Sequence, residues 1–210
     1  MEQVHGKDRW ADYVASGPDT IGGKYLRQFW QPVGLSSEIA NGQALPVQVM
    51  DEEFTLFRGE TGTAHVVGHR CSHRSAQLST GWVKGDTLQC MYHGWKFDGN
   101  GCCVERPGEK NTGAFPQADI PGYPVQEFLG LIYAYFGDGE PPHFPPFKKY
   151  EDIGVIENHA TIFPCNWFQT MENHFDETHI AFVHTFGDSH DKLGRRYELP
   201  EMNFYETDYG

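Results

Sequence analysis

Arg70-Cys71-Ser72-His73-Arg74 and Cys90-Met91-Tyr92-His93-Gly94-Trp95-Lys96-Phe97 are the two stretches whose reading decides this chain. Sixteen residues separate His73 from Cys90. Each arm offers one thiolate and one imidazole, as C-x-H and C-x-x-H. A structural zinc site usually pairs like ligands, with C-x₂₋₄-C and H-x₃₋₅-H spacings. The mixed arms and the one-residue gap of the first argue against zinc, though a zinc-stabilised binding module stays open. A cluster with two Cys on one iron and two His on the other has a different demand. Each loop must then reach both irons, so each needs one Cys and one His. Cys71, His73, Cys90 and His93 are thus candidate ligands of a 2Fe–2S cluster. Exchanging two anionic thiolates for neutral imidazoles removes negative charge and raises the potential above that of an all-cysteine cluster.

Composition agrees with a packed, β-rich chain. Of 210 residues, 39% are hydrophobic and 21% charged, which makes a core feasible. Gly 24 and Pro 13 call for many turns. The net charge of -13, from 16 basic and 29 acidic residues, makes nucleic acid and anionic membranes poor partners. Cys102, Cys103 and Cys165 remain outside the motif, and a disulfide between neighbours is strained. Met1 to Trp10 shows no apolar signal region, and the longest apolar run, Leu129 to Phe136, is far too short to span a membrane. A cytoplasmic location is expected.

Along the chain, residues 1–24 form an N-terminal segment. Tyr25 to Gly34 reads as a helix or turn meeting a strand, with Trp30 a core candidate. Val47 and Val49 alternate with polar residues, as do Phe54 and Leu56, with Asp51 to Glu53 as the turn between them. Ala64 to His69 and Leu129 to Phe136 are further strands. Asn100-Gly101 marks a hairpin running from Trp95 into Cys102 to Glu105. Four prolines within 138–147 break the pattern and read as a linker. One domain is expected over 25–150 and the start of another over 151–210.

The second region holds one convincing helix, Phe168 to His184, acidic near its start. It contains Asp176-x-x-His179-x-x-x-x-His184. Two His near a carboxylate suggest a mononuclear non-haem iron site. Positions i and i+5 lie about 140° apart on an ideal helix, so His179 and His184 share a face only if a helix end or π-bulge intervenes. Asp176 is placed to hydrogen-bond the second nitrogen of His179. Solvated helix charges are the plain alternative. His5, His65, His69, His143, His159 and His190 read as surface or packing residues. His174 reads as exposed or supporting, and Trp95 as packing beneath the cluster loop.

The two cluster arms resemble those of Rieske aromatic-ring oxygenases, and Gly101 to Pro107 resembles their third, proline-bearing loop. Ala76 and Tyr92 stand where the cytochrome-complex type of Rieske protein has extra cysteines. The family places N-x-x-D-x-x-H-x-x-x-x-H after its cluster domain, matched by Asn173, Asp176, His179 and His184. The likeness runs from about Tyr25 to the end and favours the phthalate-dioxygenase-like branch.

The resemblance implies a mainly β Rieske domain, an antiparallel sandwich with cluster-binding loops. The helical start of an incomplete α+β catalytic domain follows it. It implies a 2Fe–2S cluster and a mononuclear Fe(II) at His179 and His184. It also implies a flavin/2Fe–2S reductase using NAD(P)H, O₂, and a small organic, aromatic acid to be hydroxylated, dihydroxylated or demethylated. Asp176 would bridge His179 to His93 of another subunit, in a homo-oligomer that is a trimer or a multiple of one. The family's third iron ligand, a carboxylate, lies far beyond the second His. The chain ends 26 residues after His184, so a truncated oxygenase (alpha) component is expected. Local acids such as Asp188, Asp191 and Glu206 are not recommended by spacing. A Rieske ferredoxin-like electron carrier, or an inactive fragment, is the alternative.

Overall fold

Met50 and Asp51 both take positive φ, 50° and 63°, and so do Leu129 and Gly130, at 49° and 78°. These pairs make the two-residue turns that match the twist of hairpin strands. The first joins β2 (Ala44–Val49) to β3 (Glu52–Arg58), and the second joins β10 (Val125–Phe128) to β11 (Leu131–Tyr135). The sequence reading set the first turn a residue late and ran the last strand through the second turn. The protein is described here from a computed structural model, in which residues 7–109, 116–144, 154–184, 199 and 201–206 are described.

The remaining strands are β1 (Trp30–Leu35), β4 (Ala64–Gly68), β5 (Trp82–Lys84), β6 (Thr87–Gln89), β7 (Lys96–Phe97), β8 (Cys103–Glu105) and β9 (Gly122–Tyr123). They form three antiparallel sheets, in the orders β1-β11-β10, β2-β3-β4-β9 and β5-β6-β7-β8. The expected antiparallel β architecture is present.

The expected alternation in β3 is not. Phe54, Thr55, Leu56, Phe57 and Arg58 are all buried. Phe54, Leu56 and Val66 join one core with Val33, Ile132, Ala134 and Phe136. Phe57 and Val67 join a second with Leu78, Leu88, Phe97 and both motif cysteines. The β3–β4 pair is thus a wall between two cores, and a strand covered on both faces loses its polar phase. Trp30, expected in the core, is half-buried instead. Its Nε1 donates to the Pro142 carbonyl at 2.9 Å and its ring meets Phe144 edge-on at 5.5 Å.

Ion pairs tie the layers. Arg58 grips Glu127 of β10 through both guanidinium nitrogens, at 3.0 and 3.1 Å. Arg27 pairs with Glu52 and also donates to the Ser16 and Met50 carbonyls, at 2.7 and 3.1 Å. It thereby pins the entry segment, which carries two helices the sequence reading missed, α1 (Lys7–Val14) and α2 (Ile21–Leu26). Both are too short to show a helical period.

The chain divides into two units, residues 1–162 and 163–210. The stretch after 140 stays with the first. Besides the Trp30 contacts, Asn158 Nδ2 donates to the Leu129 carbonyl at 2.8 Å. In the second unit Asn166 caps α3 (Trp167–Phe175), its side chain accepting from Phe168 N at 2.9 Å. The single helix expected over 168–184 breaks at Asp176 and resumes as a π-helical turn, Ile180–His184. The first turn of α3 holds no acid, contrary to expectation. Described residues 201–206 form no strand, and 207–210 lie outside the described residues. Among the described residues no helix is long and apolar enough to cross a membrane.

The Arg58 guanidinium, by hydrogen bonding, holds the Glu127 carboxyl below its ordinary 4.5. A depressed acid contributes stability above its unfolded pKa and loses it as pH falls through the folded pKa. Glu127→Gln should therefore be less stable than the parent at pH 7, by about 1 kcal/mol, since the carboxylate is over a third exposed while the guanidinium is buried. Urea titrations should show the gap narrowing as pH falls below the ordinary 4.5 and closing once pH passes the lower folded pKa.

Candidate metal centre

The two motif arms are the same turn built twice. In the first, after β4, Ser75 N donates to the Cys71 carbonyl and Cys71 N to the Ala76 carbonyl, both at 2.9 Å. In the second, between β6 and β7, Gly94 N donates to the Cys90 carbonyl at 3.0 Å and Cys90 N to the Trp95 carbonyl at 2.8 Å. The residue four past each cysteine has positive φ, 54° at Ser75 and 76° at Gly94. The His sits two places past one Cys and three past the other. Spacing alone hid this repeat, because Ser75 carries no glycine signal.

The turns bring like side chains together. Cys71 and Cys90 are each 2% exposed and sit in one core cluster, with the two thiols interacting. Burial, with the neighbouring thiol adding, pushes the Cys71 thiol up to about 11. The His73 and His93 rings lie 4.6 Å apart, inclined at 63°. Sulfur is paired with sulfur inside, and ring with ring outside. That is the division a 2Fe–2S cluster with two Cys on one iron and two His on the other requires. His73 Nδ1 is buried without a hydrogen-bond partner. Such an atom costs free energy unless a ligand takes it up. The donor set fits the cluster, and all five cysteines are free of disulfides.

A third segment closes over the arms. Asp98 Oδ1 accepts from the Asn100 and Cys102 amides, each at 2.9 Å, closing the hairpin the Asn-Gly signal promised. A Cβ at Gly101 would sit 2.2 Å from the Ile120 carbonyl, so the segments touch backbone to backbone. Ser72 Oγ donates to the Ala118 carbonyl and Cys103 N to Asp119 Oδ1, the latter at 2.7 Å. Trp95 lies against His73, as expected of a residue beneath the loop, and Pro107 covers Gly94. Met91 and Tyr92, at the second tip, are exposed.

In the second unit Asp176 acts differently from expectation. Its carboxylate Oδ1 accepts from the His179 amide at 3.3 Å, and Oδ2 stands 3.7 Å from His179 Nδ1. The Nδ1 partner is the main-chain carbonyl of Asp176. Helix α3 ends at Asp176, which turns that carbonyl towards the ring. A ring held at Nδ1 by a carbonyl is the usual support for a ligating histidine. The π-helical turn, not the break at Asp176, lies between the two histidines, where the five-residue spacing called for a helix end or π-bulge. Asn173 is exposed on α3. His184 closes the π-helical turn. Asp188 and Asp191 lie outside the described residues.

Comparison with known proteins agrees with this geometry. Residues 29–124 match the Rieske [2Fe-2S] domain family. The chain is 32% identical, over 92% of its length, to the 5,5'-dehydrodivanillate O-demethylase oxygenase subunit of Sphingobium sp., covering 48% of that protein. It is 32% identical over 78% of its length to the phthalate 4,5-dioxygenase oxygenase subunit of Pseudomonas putida, covering 38% of it. Among solved structures, the Pseudomonas putida CBB5 NdmA QL mutant with theobromine superposes with a TM-score of 0.66. That match has 28% identity over 81% of this chain and 54% of the other. The fold and the loops define a Rieske 2Fe–2S protein. Beyond that domain the chain is similar to the oxygenase subunits of Rieske-type oxygenases, a phthalate dioxygenase among them. It spans about half the length of the curated relatives it matches.

Gly94 and Ser75 hold the same left-handed place, but a Cβ at Gly94 would meet Pro107 Cγ and Gln89 Nε2, each at 3.3 Å. Gly94→Ala should cost about 1 kcal/mol or more, while Ser75→Gly should stay within about 0.5 kcal/mol of the parent. Urea unfolding of the whole chain, followed by circular dichroism, checks both.

Proposed function

We propose that this chain is the cluster-bearing part of an oxygenase component that takes electrons from an NAD(P)H-dependent reductase of the flavin/2Fe–2S type. The electrons serve the insertion of oxygen from O₂ into a small organic acid, by hydroxylation, dihydroxylation or demethylation. The observation that carries this is the pairing of buried thiol with thiol and outer imidazole with imidazole. A cluster so ligated supplies one-electron transfer at a raised potential.

Cys71 and Cys90 bind it from the core side; His73 and His93 bind it from the outer side. His93 is exposed, so its ring edge is the side open to a partner. His179 and His184 hold the mononuclear iron. Asp176, exposed beside His179, bridges to His93 of a second copy, and Asn173 one turn earlier supports that contact. Such a bridge calls for a homo-oligomer, a trimer or a multiple of one. An aromatic acid is the preferred substrate class, since relatives are named for phthalate and dehydrodivanillate.

A Rieske electron carrier is the second reading. One observation favours it: the first unit alone contains both cores and all three loops.

EPR on the dithionite-reduced chain, given Fe(II) and then nitric oxide, separates the two. An oxygenase should show a Rieske signal and a high-spin iron–nitrosyl signal, with His179→Ala removing only the latter. A Rieske signal with no nitrosyl species in the parent would leave the carrier or an oxygenase whose iron site is incomplete in this chain. Loss of both signals in His179→Ala would contradict separate sites.

A further inference from the structure

The two imidazoles of the cluster site are held in unlike ways. The His73 ring lies face to face on the indole of Trp95, centroids 4.6 Å apart and planes within 5° of parallel. Trp95 is itself fixed. It is 8% exposed, packs in the core with Phe57, Leu88 and Phe97, and its carbonyl accepts from Cys90 N at 2.8 Å. The Arg106 guanidinium lies 5.4 Å over the same indole and pairs with Glu109 at 2.8 Å. His93 has no such base. Its ring meets the tilted His73 ring and the ring of Tyr92, 3.9 Å away, and Tyr92 is 62% exposed. One ring is braced by the core and the other by a surface side chain.

We infer that Trp95 is a positioning residue for His73: the indole fixes the plane of that imidazole, so the two histidines are inequivalent, His73 held and His93 adjustable. This rests on the reading that the four side chains hold a 2Fe–2S cluster. The final torsion of a histidine is broad, with no sharp staggered wells. The ring plane must therefore be set from outside. A flat aromatic face sets it, whereas an aliphatic side chain of similar size fills the space without defining a plane. The adjustable ring is the exposed one, where a partner would meet it. The held ring is the one whose Nδ1 is buried and otherwise without a partner.

A plain core filler would behave differently. If Trp95 served only to occupy volume, leucine and phenylalanine would be comparable replacements. If it sets a plane, phenylalanine keeps the function and leucine loses it.

The test uses the whole chain with ¹⁵N-histidine, loaded with cluster, reduced and examined by pulsed EPR. The parent should show two histidine nitrogen couplings, one narrow and one spread over a range of values. Trp95→Leu should spread the narrow coupling and speed thermal bleaching of the cluster's visible band about five- to tenfold, the worth of one aromatic contact. Trp95→Phe should keep the narrow coupling and bleach within about twofold of the parent. Two couplings of equal width in the parent, or matching Leu and Phe variants, would overturn the inference. If Trp95→Leu fails to fold, the parent and Phe spectra decide it. A parent without any Rieske signal would instead overturn the cluster reading beneath it.

Discussion

Two buried thiols have to stand side by side while two imidazoles stand side by side further out, and one Cys and one His come from each of two loops. Most of the first unit serves that constraint. An approach of two sulfurs in an apolar core is unfavourable for free thiolates, and burial already drives the Cys71 thiol to about 11. A metal cluster offsets that cost by taking both thiolates as ligands. The repeated turn, with the cysteine amide and carbonyl both engaged, fixes each sulfur by its backbone. The β3–β4 wall gives the loops a floor, because it is packed on both faces and cannot tilt towards either core. The 98–107 hairpin and the 118–122 segment brace the loops from the side, through Ser72, Gly101 and Asp119.

The candidate ligands were legible in the sequence because chemistry restricts them. One soft and one imidazole ligand per arm has few other uses, and no fold knowledge is needed to see it. The antiparallel plan was legible through turn residues and short apolar runs. What was not legible depends on what a segment packs against. Thr55 read as the polar phase of β3, yet it is buried because the strand is covered on both faces, and Arg58 is buried because it finds Glu127 from a distant strand. Trp30 read as core by size alone, but an indole whose N–H reaches the Pro142 carbonyl belongs at an edge. Ser75 in a left-handed place, and the parallel stack of His73 on Trp95, leave no mark in the sequence.

The second unit shows the opposite balance. The five-residue gap between His179 and His184 does not fit an ideal helix, and the π-helical turn lies where that misfit called for an irregularity, whereas the break at Asp176 precedes both histidines and had no such signal. The role of Asp176 was foretold only in part. Its carboxylate caps the turn while its carbonyl meets the ring, a division that backbone direction decides and composition cannot. Met171, Phe175, Phe182 and Val183 are exposed in this unit.

The central claim is the two-plus-two division of ligands, and Mössbauer spectroscopy of the ⁵⁷Fe-loaded, reduced chain tests it most directly. Two inequivalent irons, one ferric with sulfur ligation and one ferrous with nitrogen ligation, are the predicted result. A pair of equivalent sites, or a chain that takes up zinc and no iron–sulfur cluster, would contradict it.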